Sequence, residues 1–142
     1  MCSNLFRLLL LAGLLIPLHA ASNVAANIFD KTVDSFFKEE RVSAWGETPE
    51  HLQIIQNSQR MVLTKDPANA RFLIVARKIP AGIAKDSVVM TTEYLLLEKD
   101  KRVVGAFFWQ KGRPNLLFLR QRLREADLTL TPEFQKYIED EQ

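Results

Sequence analysis

Val103-Val-Gly-Ala-Phe-Phe-Trp-Gln-Lys-Gly-Arg-Pro-Asn-Leu-Leu-Phe-Leu-Arg120 holds two apolar, aromatic-rich runs around a short polar stretch. Runs of this length read as strands, and Gln110–Asn115, with its Gly and Pro, reads as the turn between them. The stretch predicts a β-hairpin near the carboxyl end of the chain. What precedes it decides the kind of sheet it joins. Arg71–Ala76 (RFLIVA) and Ser87–Met90 (SVVM) are apolar without alternation. Strands of that kind are covered on both faces, as in a parallel or mixed sheet between helices.

Helical signals alternate with these strands. From Val24 to Glu40, apolar residues recur at steps of three and four, which predicts an amphipathic helix. Its stripe fits its own sheet, a partner helix or a membrane surface. Thr48-Pro49-Glu50 has a capping residue, a proline suited to the first helical position and an acid suited to the positive end of the dipole. Asp66-Pro67 repeats the cap-then-proline logic for a short turn, and Thr131-Pro132-Glu133 repeats it for a last helix. Arg41–Trp45 and Gln59–Thr64 are further short strands. Thr91-Thr92 can cap a helix over Glu93–Lys99, and Leu119–Ala126 (LRQRLREA) continues the hairpin as a basic helix, with Leu119 and Leu123 four apart on one side and Arg120, Arg122 and Arg124 around the rest. The pattern predicts one three-layer α/β domain with a mainly parallel sheet and a C-terminal hairpin.

The chain has 142 residues and a formal net charge of +2, room for one domain and no electrostatic reason to expect a nucleic-acid partner. Its first twenty residues have the layout of a secretory signal peptide. Arg7 precedes the apolar run Leu8–Leu18, and small residues follow. The run is short for a membrane span; the alternative is an uncleaved anchor. Cleavage after Ala20 would leave residues 21–142 as a periplasmic domain. The one cysteine, Cys2, would leave with the leader, so the exported domain would have no disulfide and no cysteine metal site.

The sequence shows no catalytic set. His51 stands alone beside Glu50 and reads as a surface residue. No Gly-x-Ser-x-Gly and no phosphate-binding glycine loop is present. Glu39-Glu40 and Asp140-Glu141 read as solvated charge runs. We therefore expect no enzyme, no metal and no cofactor. Two binding sites are candidates. Thr91 and Thr92, at the carboxyl end of a strand and the start of a helix, suit an anion, with ordinary capping as the alternative. Trp109, with Lys111 and Arg113 in the turn, suits a carboxylate, a phosphate or a partner protein. The alternative there is a soluble turn whose charges discourage edge-to-edge pairing.

The order Gly105-Ala-Phe-Phe-Trp, polar turn, Asn115-Leu-Leu-Phe, basic helix, Leu128-Thr-Leu-Thr-Pro-Glu-Phe resembles the C-terminal part of YfiR-like periplasmic proteins. RFLIVA and SVVM fit the same plan. The resemblance covers about the second half of the exported chain. It implies a Rossmann-like half of a periplasmic-binding fold and a role in tuning a membrane-bound signalling enzyme such as a diguanylate cyclase. The chain departs from that family's better-known members in lacking cysteines after the leader and in being shorter. The expectation is a non-catalytic periplasmic protein that contacts the periplasmic sensor domain of a membrane-bound signalling protein. Trp109 would be the anchor, with Lys111, Arg113 and Arg120 as the polar rim. The alternative is a binding protein for a small anionic solute, using Thr91, Thr92 and Arg113.

Overall fold

A computed structural model describes residues 18–141. The expected leader, with Cys2, lies outside the described residues except for its last three positions. Helix α1 (Leu18–Phe36) runs through the expected cleavage point between Ala20 and Ala21. It begins earlier and ends sooner than the predicted Val24–Glu40. Among the described residues no helix is long and apolar enough to cross a membrane.

After α1 come β1 (Val42–Gly46), α2 (Pro49–Asn57), β2 (Met61–Leu63), β3 (Phe72–Val75), β4 (Val88–Thr91) and α3 (Tyr94–Lys99). The hairpin strands are β5 (Val103–Gln110) and β6 (Arg113–Leu119), followed by α4 (Arg120–Glu125) and β7 (Ile138–Glu139). Seven strands form one sheet in the order β2-β1-β3-β4-β5-β6-β7. From β2 to β5 every pairing is parallel; β5 and β6 are antiparallel, and β7 returns parallel to β6. Parallel neighbours need crossovers: α2 carries the one from β1 to β2 and α3 the one from β4 to β5, while a loop, residues 76–87, joins β3 to β4. All four positions of β3 and of β4 are buried, as their unalternating sequence requires.

The two faces are packed differently. On one, Ala25, Phe29 and Val33 of α1 and Ile54 and Ile55 of α2 meet Phe72, Phe107, Phe118 and Phe134. Phe29 lies edge-on to Phe72 at 6.0 Å and to Phe107 at 5.7 Å, and Phe118 lies edge-on to Phe134 at 6.0 Å. These are favoured aromatic geometries. The other face is aliphatic: Leu96 and Leu97 of α3 and Ile79 cover Leu73, Val75, Val89 and Ala106. The predicted three-layer α/β arrangement with a mainly parallel sheet is therefore what the chain adopts.

Between β4 and β5 the register slips: Val89 faces Val103, yet Met90 faces Gly105. Val104 is the extra residue of a β-bulge, which re-aims the rest of β5. Gly105 then lies under the Phe118 ring. A Cβ there would come 2.6 Å from the ring and 2.8 Å from the Leu117 carbonyl oxygen, so no side chain fits without movement.

Three sequence expectations need correction. The turn is only Lys111-Gly112, both with positive φ (52° and 74°), the geometry of a two-residue hairpin turn. Arg113, Pro114 and Asn115, assigned to the turn on composition, are strand residues of β6. The expected last helix is a 3-10 turn (Pro132–Tyr137) that delivers β7 to the sheet, with Phe118 opposite Ile138. The expected helix cap at Thr91-Thr92 is displaced: Thr91 ends β4, and Glu93 is the residue before α3.

Candidate recognition cleft

The cleft arises because two neighbouring strands differ in length. Thr91 is the last β4 residue in register, opposite Ala106. β5 continues from Phe107 to Gln110, paired on its other side with β6. Where β4 leaves the sheet, a cleft of ≈ 430 Å³ opens. Phe107, Phe108 and Trp109 form its β5 side; Ala25, Glu50 and Ile54 of α1 and α2 form one wall; Thr92, Glu93 and Tyr94 form the other. Phe107 and Trp109 alternate with Phe108 along the strand, so they face opposite sides of the sheet. Trp109 packs edge-on to Phe107 at 6.0 Å and Tyr94 leans on Phe108 at 5.6 Å. The indole remains 41% exposed.

A buried histidine supports the Thr92 wall. His51, expected at the surface, is 1% exposed. Thr48 caps α2 by accepting the His51 amide hydrogen at 3.2 Å, and His51 Nδ1 accepts the Thr48 amide hydrogen at 3.3 Å. This is a capping box with histidine in the position usually held by Glu or Gln. Because Nδ1 accepts, the ring proton sits on Nε2 and is donated to Thr92 Oγ1 at 2.8 Å. Burial lowers the His51 pKa to about 4, against a smaller opposing pull from Glu47, so the ring is neutral at pH 7.

In sheets of this strand order, ligands commonly sit at the carboxyl ends of the first and third strands. Here Glu47, just after β1, fills that place: its carboxylate accepts the amide hydrogens of Ala76 and Arg77, the latter at 2.8 Å. The chain supplies its own anion at the usual anion position.

The predicted site residues separate. Thr92 and Trp109, from two different sequence candidates, line the same cleft. Thr91 is fully buried, and its hydroxyl accepts the Glu93 amide hydrogen at 3.0 Å and faces the Glu93 carbonyl at 3.3 Å. Arg113 and Lys111 line a separate shallow depression with Gln110 and Asn115. Arg120 stands at the far end of β6, about 23 Å from Arg113 at ~3.3 Å per strand residue, and is ion-paired with Asp140 at 2.8 Å. The structure thus brings together Trp109 and Thr92 at the cleft and Lys111 and Arg113 at the tip, and leaves Thr91 and Arg120 elsewhere.

Arg122 is the second polar residue that sequence reasoning misplaced. Expected on the outer face of a basic helix, it is 3% exposed. Its guanidinium donates to the carbonyls of Leu97, of Asp100 at 3.0 Å and of Val103 at 2.9 Å, and to Glu141 at 2.7 Å. Asp140 and Glu141, read as a solvated tail, therefore tie the chain end to α4. The Arg122 hydrogen bond holds the Glu141 carboxyl below its usual pKa. Glu39 is likewise lowered by its bond from Arg71.

No signal in one sequence marks a buried arginine. The His51 role was visible in principle, since it is the third residue after a Thr-Pro start. Compared with known proteins, the chain matches no family model, no curated protein and no solved structure.

Proposed function

We propose that this chain is an exported, non-catalytic α/β protein of the YfiR-like kind, which regulates or senses for a membrane-bound signalling protein through its hairpin tip. One observation carries the reading: a half-exposed indole stands at the rim of an aromatic cleft, on a strand paired with β6. Large aromatic side chains anchored in this way are typical centres of protein recognition. Lys111 and Arg113 beside it offer a polar rim. Arg120, paired at the other end of the ribbon, is not part of this surface. Export rests on the leader-like first twenty residues, and the regulatory role on the resemblance of the second half of the chain.

The test is recovery of partners from solubilised membranes by immobilised wild type and by Trp109→Ala/Arg113→Ala. The double variant is expected to recover at least about tenfold less of a specific membrane protein, the scale of an interface anchor. Equal recovery by both proteins would remove the tip as the contact surface.

A further inference from the structure

The main-chain groups along the cleft say how a partner engages. In a two-residue hairpin the residues flanking the turn exchange both main-chain hydrogen bonds, here Gln110 and Arg113. Bonded and non-bonded pairs then alternate, so Phe108–Asn115 is a bonded pair and Trp109–Pro114 is not. Pro114 agrees with this register, since a proline has no N–H to give and belongs where the ladder asks for none. The amide and carbonyl of Trp109 and the carbonyl of Phe107 therefore point away from β6, into the cleft. Among the described residues no loop or cap bonds to them. This is an open strand edge inside a formed sheet, walled on both sides.

We propose that this edge takes up an extended, basic segment of the partner protein, which adds as a strand beside β5 in the space β4 vacates. The inference rests on the recognition role proposed above and specifies its chemistry. Strand addition gives affinity through the main chain, and side-chain pockets give selectivity. An added strand sends alternate side chains to the two faces. One set meets the wall that carries Glu50, the other the wall that carries Glu93. Glu50 and Glu93 both line the cleft, no Lys or Arg does, and neither acid has an ion-pair partner among the described residues. The charge complement is Lys or Arg on successive positions of the incoming strand. Phe107, Phe108, Trp109 and Tyr94 receive the aliphatic stems of such side chains and offer ring faces to their charges.

The test uses the full protein and a capped hexapeptide with lysine or arginine at its four successive central positions and valine at both ends. Three companions accompany it: the same peptide N-methylated at every residue, a version with glutamate in place of each cation, and Glu50→Gln/Glu93→Gln protein. Titration calorimetry is expected to show saturable binding of the basic peptide. N-methylation should weaken it about tenfold or more through lost main-chain bonds, and the acidic peptide should bind at least as weakly. The double Gln protein should bind the basic peptide a few-fold less tightly. At saturation, amide exchange of Trp109 by NMR should slow at least about tenfold.

Equal binding of the N-methylated peptide, or an unprotected Trp109 amide at saturation, would overturn strand addition. A second copy of the chain protecting that amide as protein concentration rises would overturn the basic partner segment as the occupant of this edge. If the membrane pull-down depends on Trp109 while the basic peptide leaves its amide unprotected, the recognition role stands and strand addition falls. If the peptide protects Trp109 while the Trp109→Ala/Arg113→Ala protein still recovers its membrane partner, strand addition survives and the membrane assignment falls.

Discussion

The β5–β6 ribbon has two unlike ends. At its base everything is tied down: Val104 bulges, the Phe118 ring lies on Gly105, and Arg122 gathers three main-chain carbonyls and the Glu141 carboxylate. At its tip, Trp109 is half-exposed, Lys111 and Arg113 have no ion pair among the described residues, and one strand edge lacks a neighbour. Even the two edges of the tip differ. Pro114 blunts the outer edge of β6, a common defence against unwanted strand pairing, whereas β5 has no such guard. A region that stabilises the fold satisfies its polar groups internally. A region that recognises something leaves them to be satisfied by another molecule.

That contrast can be broken at its strongest point first. Arg122→Met is expected to destabilise the domain by about 3 kcal/mol, because buried carbonyls and a carboxylate lose their shared donor. A thermal melt would show this as a drop of roughly 10 °C. A melt within about 2 °C of wild type would mean that the base is held by packing alone.

The second test separates the cleft wall from the base by pH. His51 has a folded-state pKa lowered from 6.5 to about 4. The unfolded chain therefore binds the extra proton first, and stability falls as pH drops from about 6.5 towards 4. The loss from this group is about 2 kcal/mol between pH 7 and pH 5. Glu141 at the base has a lowered carboxyl pKa, as does Asp100 through its bond from Arg102, so their contributions are present at neutral pH and fade only at lower pH. Denaturation midpoints from pH 7.5 to 4.5 should decline for wild type and flatten for His51→Gln. Parallel slopes for the two proteins would show that His51 is not the titrating support.

The smallest effect belongs to the tip. Trp109→Ala should change stability by about 1 kcal/mol, the scale of its edge-on contact with Phe107. A loss above about 2 kcal/mol would move this indole from the recognition side of the comparison to the structural side.

The candidate site was only half legible in the sequence. Trp109 and Thr92 could each be singled out, because an aromatic near a polar turn and a threonine after a buried strand are local patterns. That they line one cleft depends on β4 ending four residues before β5 does, which no local pattern states. His51 and Arg122 were misread for a common reason. A polar side chain is buried only when distant groups satisfy it, here Thr92 for one and Leu97, Val103 and Glu141 for the other. Pro114 and Asn115 were assigned to the turn because their composition favours turns, while pairing across the ribbon keeps them in β6. β7 is too short and too exposed to carry any periodicity.

By itself the sequence determined the α/β class, the buried central strands and the helix starts at Thr48 and Asp66. Burial on both faces, capping and proline geometry are written in neighbouring residues. The tertiary structure alone decided which polar groups are consumed inside and which are left open at the cleft. Hydrogen-bond satisfaction is settled between segments far apart in the chain, and the one open edge of β5 exists only because another strand stops short of it.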